Sequence, residues 1–253
     1  MIGRLFGEPS VMAVPYSLSV KGLRSPVRLA FLSDLHGEGH EKCLELTEAF
    51  QPHLVIFGGD TFDERIPLTG GLEALTAFSG RYPTFYVPGN HEIKTGRYGL
   101  VKRAAASTGA YLLAGENALF SAEGNTLLLC GVEDPLHQEE IHRKQLASAC
   151  KAAEKGGCSL LITHRPERVE EYTGTPFDAV LTGHAHGGQW RFPFLKDGFL
   201  APDVGFFPKY TGGVYDLEGT KLLVSRGLAV KNTRVPRIGN PPELCLVTLV
   251  PRE

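Results

Sequence analysis

Residues 27–36, Val-Arg-Leu-Ala-Phe-Leu-Ser-Asp-Leu-His, decide the fold. The apolar run 27–32 reads as a buried strand that stops at Ser33, with Asp34 and His36 just beyond its end. The arrangement recurs four times. Strand-like run 54–57 leads to Gly59-Asp60, and 84–87 leads to Gly89-Asn90-His91-Glu92. Run 159–162 leads to Thr163-His164, and 179–181 leads to Gly183-His184-Ala185-His186. Helical periodicity fills the intervals at 41–50, 71–78, 98–106 and, most clearly amphipathic, 139–154. Short strands are predicted at 111–113, 118–121 and 126–130, and the chain becomes β-rich after Trp190, with strands at 213–217, 221–225 and 244–249. Alternation early and strands late predict an α/β fold, a four-layer α/β/β/α sandwich of two mixed sheets flanked by helices.

In open α/β sheets, ligands gather beyond the carboxyl ends of the strands. Five strand ends would then deliver Asp34, Asp60, Asn90, His164 and His184 to one edge. Carboxylate, amide and imidazole without thiolate suit borderline divalent metals. Each block alone has an ordinary reading: an Asp after a strand caps a helix, Gly-Asn-His-Glu makes a turn, and His164 starts a helix. The ordered set points instead to a two-metal hydrolytic centre. Glycines 58, 59, 89 and 183 fit tight turns at the same strand ends.

At 253 residues and 42% hydrophobic content, the chain can bury a large core, and one domain over 1–253 is expected. Within it lie a motif core at 27–190, an irregular segment at 190–210 and a β-rich part at 211–253. A net charge of −2 gives no nucleic-acid footprint. Five scattered cysteines without a C-x-x-C pair suggest reduced, buried thiols. No stretch approaches the roughly 20 apolar residues of a membrane span, and the N-terminus is broken by Gly7, Glu8 and Pro9 before a signal-like run forms. A soluble cytoplasmic protein, at most peripheral to a membrane, is expected, and nothing calls for an obligate protein partner.

The set Asp34-x-His36, Gly59-Asp60, Gly89-Asn90-His91-Glu92, His164 and Gly183-His184-x-His186 resembles the full signature of the calcineurin-like metallophosphoesterases. Ser225-Arg226-Gly227-Leu228 and Pro241-Pro242-Glu243 further resemble a bacterial single-domain branch. That branch holds general phosphodiesterases and pyrophosphohydrolases of a lipid A precursor, UDP-diacylglucosamine. The resemblance implies the metallo-dependent phosphatase fold. It also implies two metal ions, one held by Asp34, His36, Asp60 and His186, the other by Asp60, Asn90, His164 and His184, with Asp60 bridging. A carboxylate can span two cations, and ions roughly 3.5–4 Å apart can clamp both oxygens of an in-line displacement by a hydroxide held between them. His91 is assigned by the family pattern to the substrate, as acid for the leaving group. Glu92 is expected to orient His91 or to start a helix. Manganese, iron and zinc all suit the donor set.

His40, His53, His137 and His142 lie outside the motifs and read as surface or packing residues, with His40 nearest the centre in sequence. Specificity must come from elsewhere. The segment 190–210 carries Phe194, Leu195, Phe199, Leu200, Phe206 and Phe207. It reads either as cover for the sheet edge or as a groove for acyl chains or a membrane surface. The basic run Arg226, Lys231, Arg234 and Arg237, and Arg165 beside His164, are candidate phosphate clamps, with Arg165 and Arg226 chosen for substrate binding. The expected reaction is hydrolysis of a phosphodiester or pyrophosphate, on a lipid-linked or nucleotide-linked substrate. Alternatives are a phosphomonoesterase, a cyclic-nucleotide phosphodiesterase, or a metal-stabilised scaffold without activity.

Overall fold

A computed structural model describes residues 10–193, 197–201, 204–231, 233 and 235–252. Two six-stranded mixed sheets carry the described chain. In the first, β1 (Met12–Val20) pairs in parallel with β14 (Glu243–Pro251), which runs antiparallel to β2 (Val27–Leu32). Parallel β3 (Leu54–Gly58), β4 (Thr84–Val87) and β5 (Tyr111–Leu112) complete it. The second runs β12 (Gly213–Leu217), β13 (Thr220–Val224), β9 (Ala179–Thr182), β8 (Cys158–Ile162), β7 (Asn125–Gly131) and β6 (Asn117–Ala122), antiparallel only at its two outer pairs.

Side chains alternate across each strand, which explains why the strands are apolar on both faces. Leu29, Phe31, Ile56 and Val87 from the first sheet meet Leu129, Leu160, Ile162 and Leu181 from the second in a shared core. Ala30, Leu32, Val55 and Phe57 point the other way. They pack on α1 (His40–Phe50), α2 (Thr69–Ser79) and α4 (Tyr98–Ala106) through Cys43, Leu75, Phe78 and Val101. Leu161, Val180 and Leu222 bury their side of the second sheet under α5 (Glu139–Ala153) and α6 (Val169–Tyr172) through Ala149 and Tyr172. The four layers are thus the α/β/β/α sandwich predicted from the strand pattern.

Two elements depart from expectation. β1 was not anticipated, because Pro15 interrupts its sequence; it lies at the sheet edge, where a missing N–H costs little. Gly-Asn-His-Glu opens a short helix, α3 (Asn90–Lys94), in keeping with the helix-start reading of Glu92. Within the irregular segment, β10 (Leu200–Ala201) and β11 (Gly205–Phe206) form a small hairpin. Phe199 stacks on Trp190 and meets Phe206 and Phe207 edge-on, so its ring packs within the segment itself. Phe206 and Phe207, by contrast, are 66% and 69% exposed. Phe194 and Leu195 lie outside the described residues. No helix among those described is long and apolar enough to cross a membrane.

Candidate metal centre

Strands β2, β3 and β4 of one sheet and β8 and β9 of the other end at the same edge of the sandwich. Asp34, Asp60, Asn90, His164 and His184 follow those strands within three residues, and His186 follows in the same loop as His184. Backbone bonds extend the sheets past their formal ends: Asp34 N–H donates to Gly59 O at 3.0 Å, His36 N–H to Asp60 O at 2.9 Å, and Gly183 N–H to His164 O at 3.0 Å. The loops are therefore ordered by the sheet itself. Gly59, at φ 99°, lets the chain turn where a Cβ would lie 2.4 Å from His164 Nδ1.

Five of the seven expected ligands sit in left-handed backbone. Asp34 has φ 53°, His36 49°, Asp60 51°, His184 63° and His186 46°. For residues with a Cβ this conformation costs on the order of 1–3 kcal/mol each, and such strain collects where function demands it. All seven are at least 95% buried.

The side chains form two adjoining groups. Asp34, His36 and His186 bring ligand atoms within 4.8 Å of one another, and so do Asp60, His164 and His184. Asp60 Oδ2 stands between the groups, 3.1 Å from His164 Nε2 and 3.8 Å from His36 Nε2. Asp60 Oδ2, Asn90 Oδ1, His164 Nε2 and His186 Nδ1 are buried with no hydrogen bond in protein. A buried polar atom left so costs about 1–3 kcal/mol, and Asp60 Oδ2 and His164 Nε2, 3.1 Å apart, fit a cation site. The bonds behind the ligands agree. His164 Nδ1 lies 2.9 Å from Gly58 O and donates to it, which leaves Nε2 as the lone-pair nitrogen. His36 Nδ1 is held by Asp63 at 2.8 Å in the same manner.

The carboxylates and imidazoles of the cluster shift one another's protonation. Burial, then repulsion from Asp60, raises Asp34, whereas Asp60 falls well below the carboxylate range because His164, His91 and His36 outweigh its burial. His164 is pushed up to about 10: burial opposes its protonation, but Asp60 and Asp34 prevail. Burial, reinforced by neighbouring cations, holds His184 and His186 well below the imidazole value. Those two rings are neutral, the form that ligates metal.

His91 borders this set, its Nε2 3.9 Å from Asp60 Oδ2, in the wall of a cavity of about 350 Å³ that opens on the centre. Its Nδ1 is held by Glu64 Oε2 at 2.6 Å, and its backbone N–H donates to Asp60 Oδ1 at 2.8 Å. Glu92 does not orient it, contrary to one expectation. Glu92 is fully buried and accepts four backbone N–H groups, from Thr61 and Phe62 on Oε1 and from Asp60 and Gly89 on Oε2, at 2.8–3.1 Å. One carboxylate thus ties the loop after β3 to the loop after β4. Burial and the Asp60 charge push Glu92 up to about 7. Replacing Glu92 with Gln would turn an NH2 toward two of those donors. At pH 8, where wild-type Glu92 is ionised, the loss should be roughly 2–5 kcal/mol and lower the Tm by about 5–15 °C. An unchanged melting curve would refute this role.

The arginines chosen for substrate lie elsewhere. Arg165 is tied to Asp134 at 2.7 Å and Glu167 at 3.1 Å, with Nη1 3.2 Å from His184 Nε2, so it backs a ligand rather than lining the cavity. Arg226 donates through N and Nε to Glu243 Oε2, both at 2.9 Å. The two tail motifs therefore meet. Their contact fixes the turn at Gly227 (φ 74°), where a Cβ would lie 2.9 Å from that of Asp34. The next amides, of Leu228 and Ala229, donate to Asp34 O at 3.2 and 2.8 Å. Arg226 braces Asp34. Arg237 is spent on the carbonyls of Ala229, Arg226 and His186, and Arg234 lies outside the described residues. Arg65 and Lys94 line the cavity instead. Neither stood out in sequence, because Arg65 follows an acidic pair and Lys94 ends a helix too short to show periodicity. Of the histidines outside the motifs, His142 is buried between Glu133 O and Glu171, and His53 accepts the Arg28 amide. All five cysteines are free, and four are buried.

Comparison with known proteins agrees with this geometry. The family model described as calcineurin-like phosphoesterase matches residues 27–188. The uncharacterized protein YpbG of Bacillus subtilis is 30% identical over 242 residues, covering 92% of this chain and 85% of the relative. Phosphodiesterase YaeI of Escherichia coli is 25% identical over 239 residues, 89% of this chain and 83% of its own. TT1561 of Thermus thermophilus superposes with a TM-score of 0.57 at 13% identity over 79% of this chain and 89% of that one. The NAD nucleotidase of Haemophilus influenzae gives 0.57 at 14% identity over 82% and 46%. At such low identity the two structures speak for the fold alone. With the family model spanning every strand end that carries a ligand, the chain belongs to the calcineurin-like phosphoesterases and is a metal-dependent phosphoesterase.

Proposed function

We propose that this protein hydrolyses a phosphodiester or pyrophosphate bond at a dinuclear centre built from Asp34, His36, Asp60, Asn90, His164, His184 and His186. The observation that carries the reading is the meeting of buried ligand atoms without hydrogen bonds from both sheets at the floor of an open cavity. Bound divalent cations supply Lewis acidity and an activated water at neutral pH. The protein contributes geometry: Asp60 joins the two ligand groups, and second bonds to Asp63 and Gly58 O fix the His36 and His164 rings. His91, steered by Glu64, faces the cavity as the proton donor to the leaving oxygen.

The cavity also bears on substrate. Leu200, Ala201, Gly205 and Val235 make an apolar wall, which continues outward to the exposed Val204, Phe206 and Phe207. Such a surface favours a substrate with an apolar moiety, at a lipid surface or carried on the molecule itself. The name of the Escherichia coli relative supports a diester over a monoester.

With manganese added, the protein should cleave bis-p-nitrophenyl phosphate in preference to p-nitrophenyl phosphate. In a panel of UDP-diacylglucosamine, nucleotide diesters and cyclic nucleotides, acylated diesters should be the better substrates. That advantage should shrink in a Phe206→Ser/Phe207→Ser double variant. Activity confined to the monoester would overturn the diester reading, and no activity with manganese, iron or zinc would leave the scaffold role.

A further inference from the structure

The cavity lined by the hairpin residues Leu200, Ala201 and Gly205 is also lined by two cations, Lys94 at the end of the short helix α3 and Arg65 in the loop after β3. Asn90 and Lys94 are four residues apart on α3, so they share a face one turn apart, with His91 beside them. A single turn of helix therefore delivers a ligand candidate, the His91 ring and an ammonium to one cavity. Most described lysines of known partner are paired to carboxylates: Lys42 with Glu45, Lys102 with Glu133, Lys144 with Glu140 and Lys221 with Asp216. The Lys94 side chain, exposed to solvent, has no ion pair or hydrogen bond among the described residues. Its neighbour in the wall, Arg65, is held by Asp63 through Nε and Nη2. The lining residues Leu200, Ala201, Gly205 and Val235 offer no charge.

We infer that Lys94 forms a second anion subsite, which selects substrates bearing a further negative group next to the attacked phosphorus, as in a pyrophosphate diester. This rests on reading the adjoining centre as a phosphoester hydrolase. A simple diester carries one negative charge, which the centre itself meets. A pyrophosphate diester carries a second, and Lys94 is the lining cation not already held by a carboxylate, as Arg65 is by Asp63. An ammonium on a flexible stem suits a phosphate whose position varies with the attached group, since it acts as a point charge with three donors.

The test compares kcat/KM for UDP-glucose and bis-p-nitrophenyl phosphate in the metal-loaded full chain. In Lys94→Gln the ratio of the two should fall about tenfold or more, through KM, and Lys94→Arg should keep it within about threefold. Added salt should erode the ratio in the wild type but hardly in Lys94→Gln. A ratio unchanged in Lys94→Gln, or lost equally in Lys94→Arg, overturns the subsite. If the wild type hydrolyses neither compound, the hydrolase reading fails by itself, and the subsite is judged by calorimetric binding of UDP against UMP. A preference for UDP of about tenfold that Lys94→Gln abolishes supports it, and equal affinities in the wild type refute it.

Discussion

Asp60→Asn should strip the protein of its paired metals while leaving it folded. Its two oxygens have separate tasks. Oδ1 accepts the His91 backbone N–H at 2.8 Å, a bond that the asparagine oxygen can keep, and so the turn into α3 should survive. Oδ2 is the atom between the two ligand groups, with imidazole nitrogens of His164, His36 and His91 at 3.1, 3.8 and 3.9 Å. An amide NH2 there offers no lone pair, and the variant also lacks the negative charge that draws two cations together. Residues behind a metal's ligands typically cost roughly 10–100-fold in affinity or activity when replaced, and loss of a ligand common to both groups should cost more. We expect elemental analysis to give two ions per wild-type chain and at most one per Asp60→Asn chain. Diesterase activity should fall at least about a thousandfold, with the far-ultraviolet dichroism preserved. Two ions retained by the variant would remove Asp60 from the bridging position.

Much of this centre was legible in the sequence for one physical reason. A parallel strand buried on both faces is written as an unbroken apolar run, so its carboxyl end is marked by the first polar residue, and that end is where this fold collects ligands. Asp34, Asp60 and His164 each stand two residues past such a run. What stayed hidden was whatever depends on pairs distant in sequence. Glu64 reaches His91 across 27 residues, and Arg226 spends its charge on Glu243 rather than on substrate. An arginine beside a ligand reads as a clamp until its carboxylate partners are seen, as with Arg165 and Asp134. Of the two roles expected of Glu92, starting a helix holds, since it closes a capping box on Gly89, and orienting His91 fails for a related reason. Sequence placed it next to His91, but a helix sends adjacent side chains about 100° apart, so Glu92 points inward to the amides while His91 faces the cavity. The left-handed ligands gave little sign either, since the enrichment of Asp and His at positive φ is far weaker than that of glycine.

His91→Gln should give the complementary phenotype, with both metals kept and turnover lost. His91 belongs to the cavity wall, and its ring is fixed by Glu64 rather than by the ligand carboxylates. Removing a positioned general acid costs typically about 10²–10⁴-fold. The size of the loss must depend on what is leaving. Para-nitrophenolate departs without a proton, so bis-p-nitrophenyl phosphate should suffer least, whereas a diester with an alkoxide leaving group should lose about a further tenfold or more. That dependence separates a proton donor from a group that merely neutralises the phosphoryl oxygens, which would cost every substrate alike. Glu64→Gln should move activity in the same direction by less, because the amide oxygen still accepts from Nδ1 but without charge. If His91→Gln lowered cleavage of both classes of diester by the same factor with metal content intact, acid catalysis by His91 would be wrong and charge stabilisation would take its place.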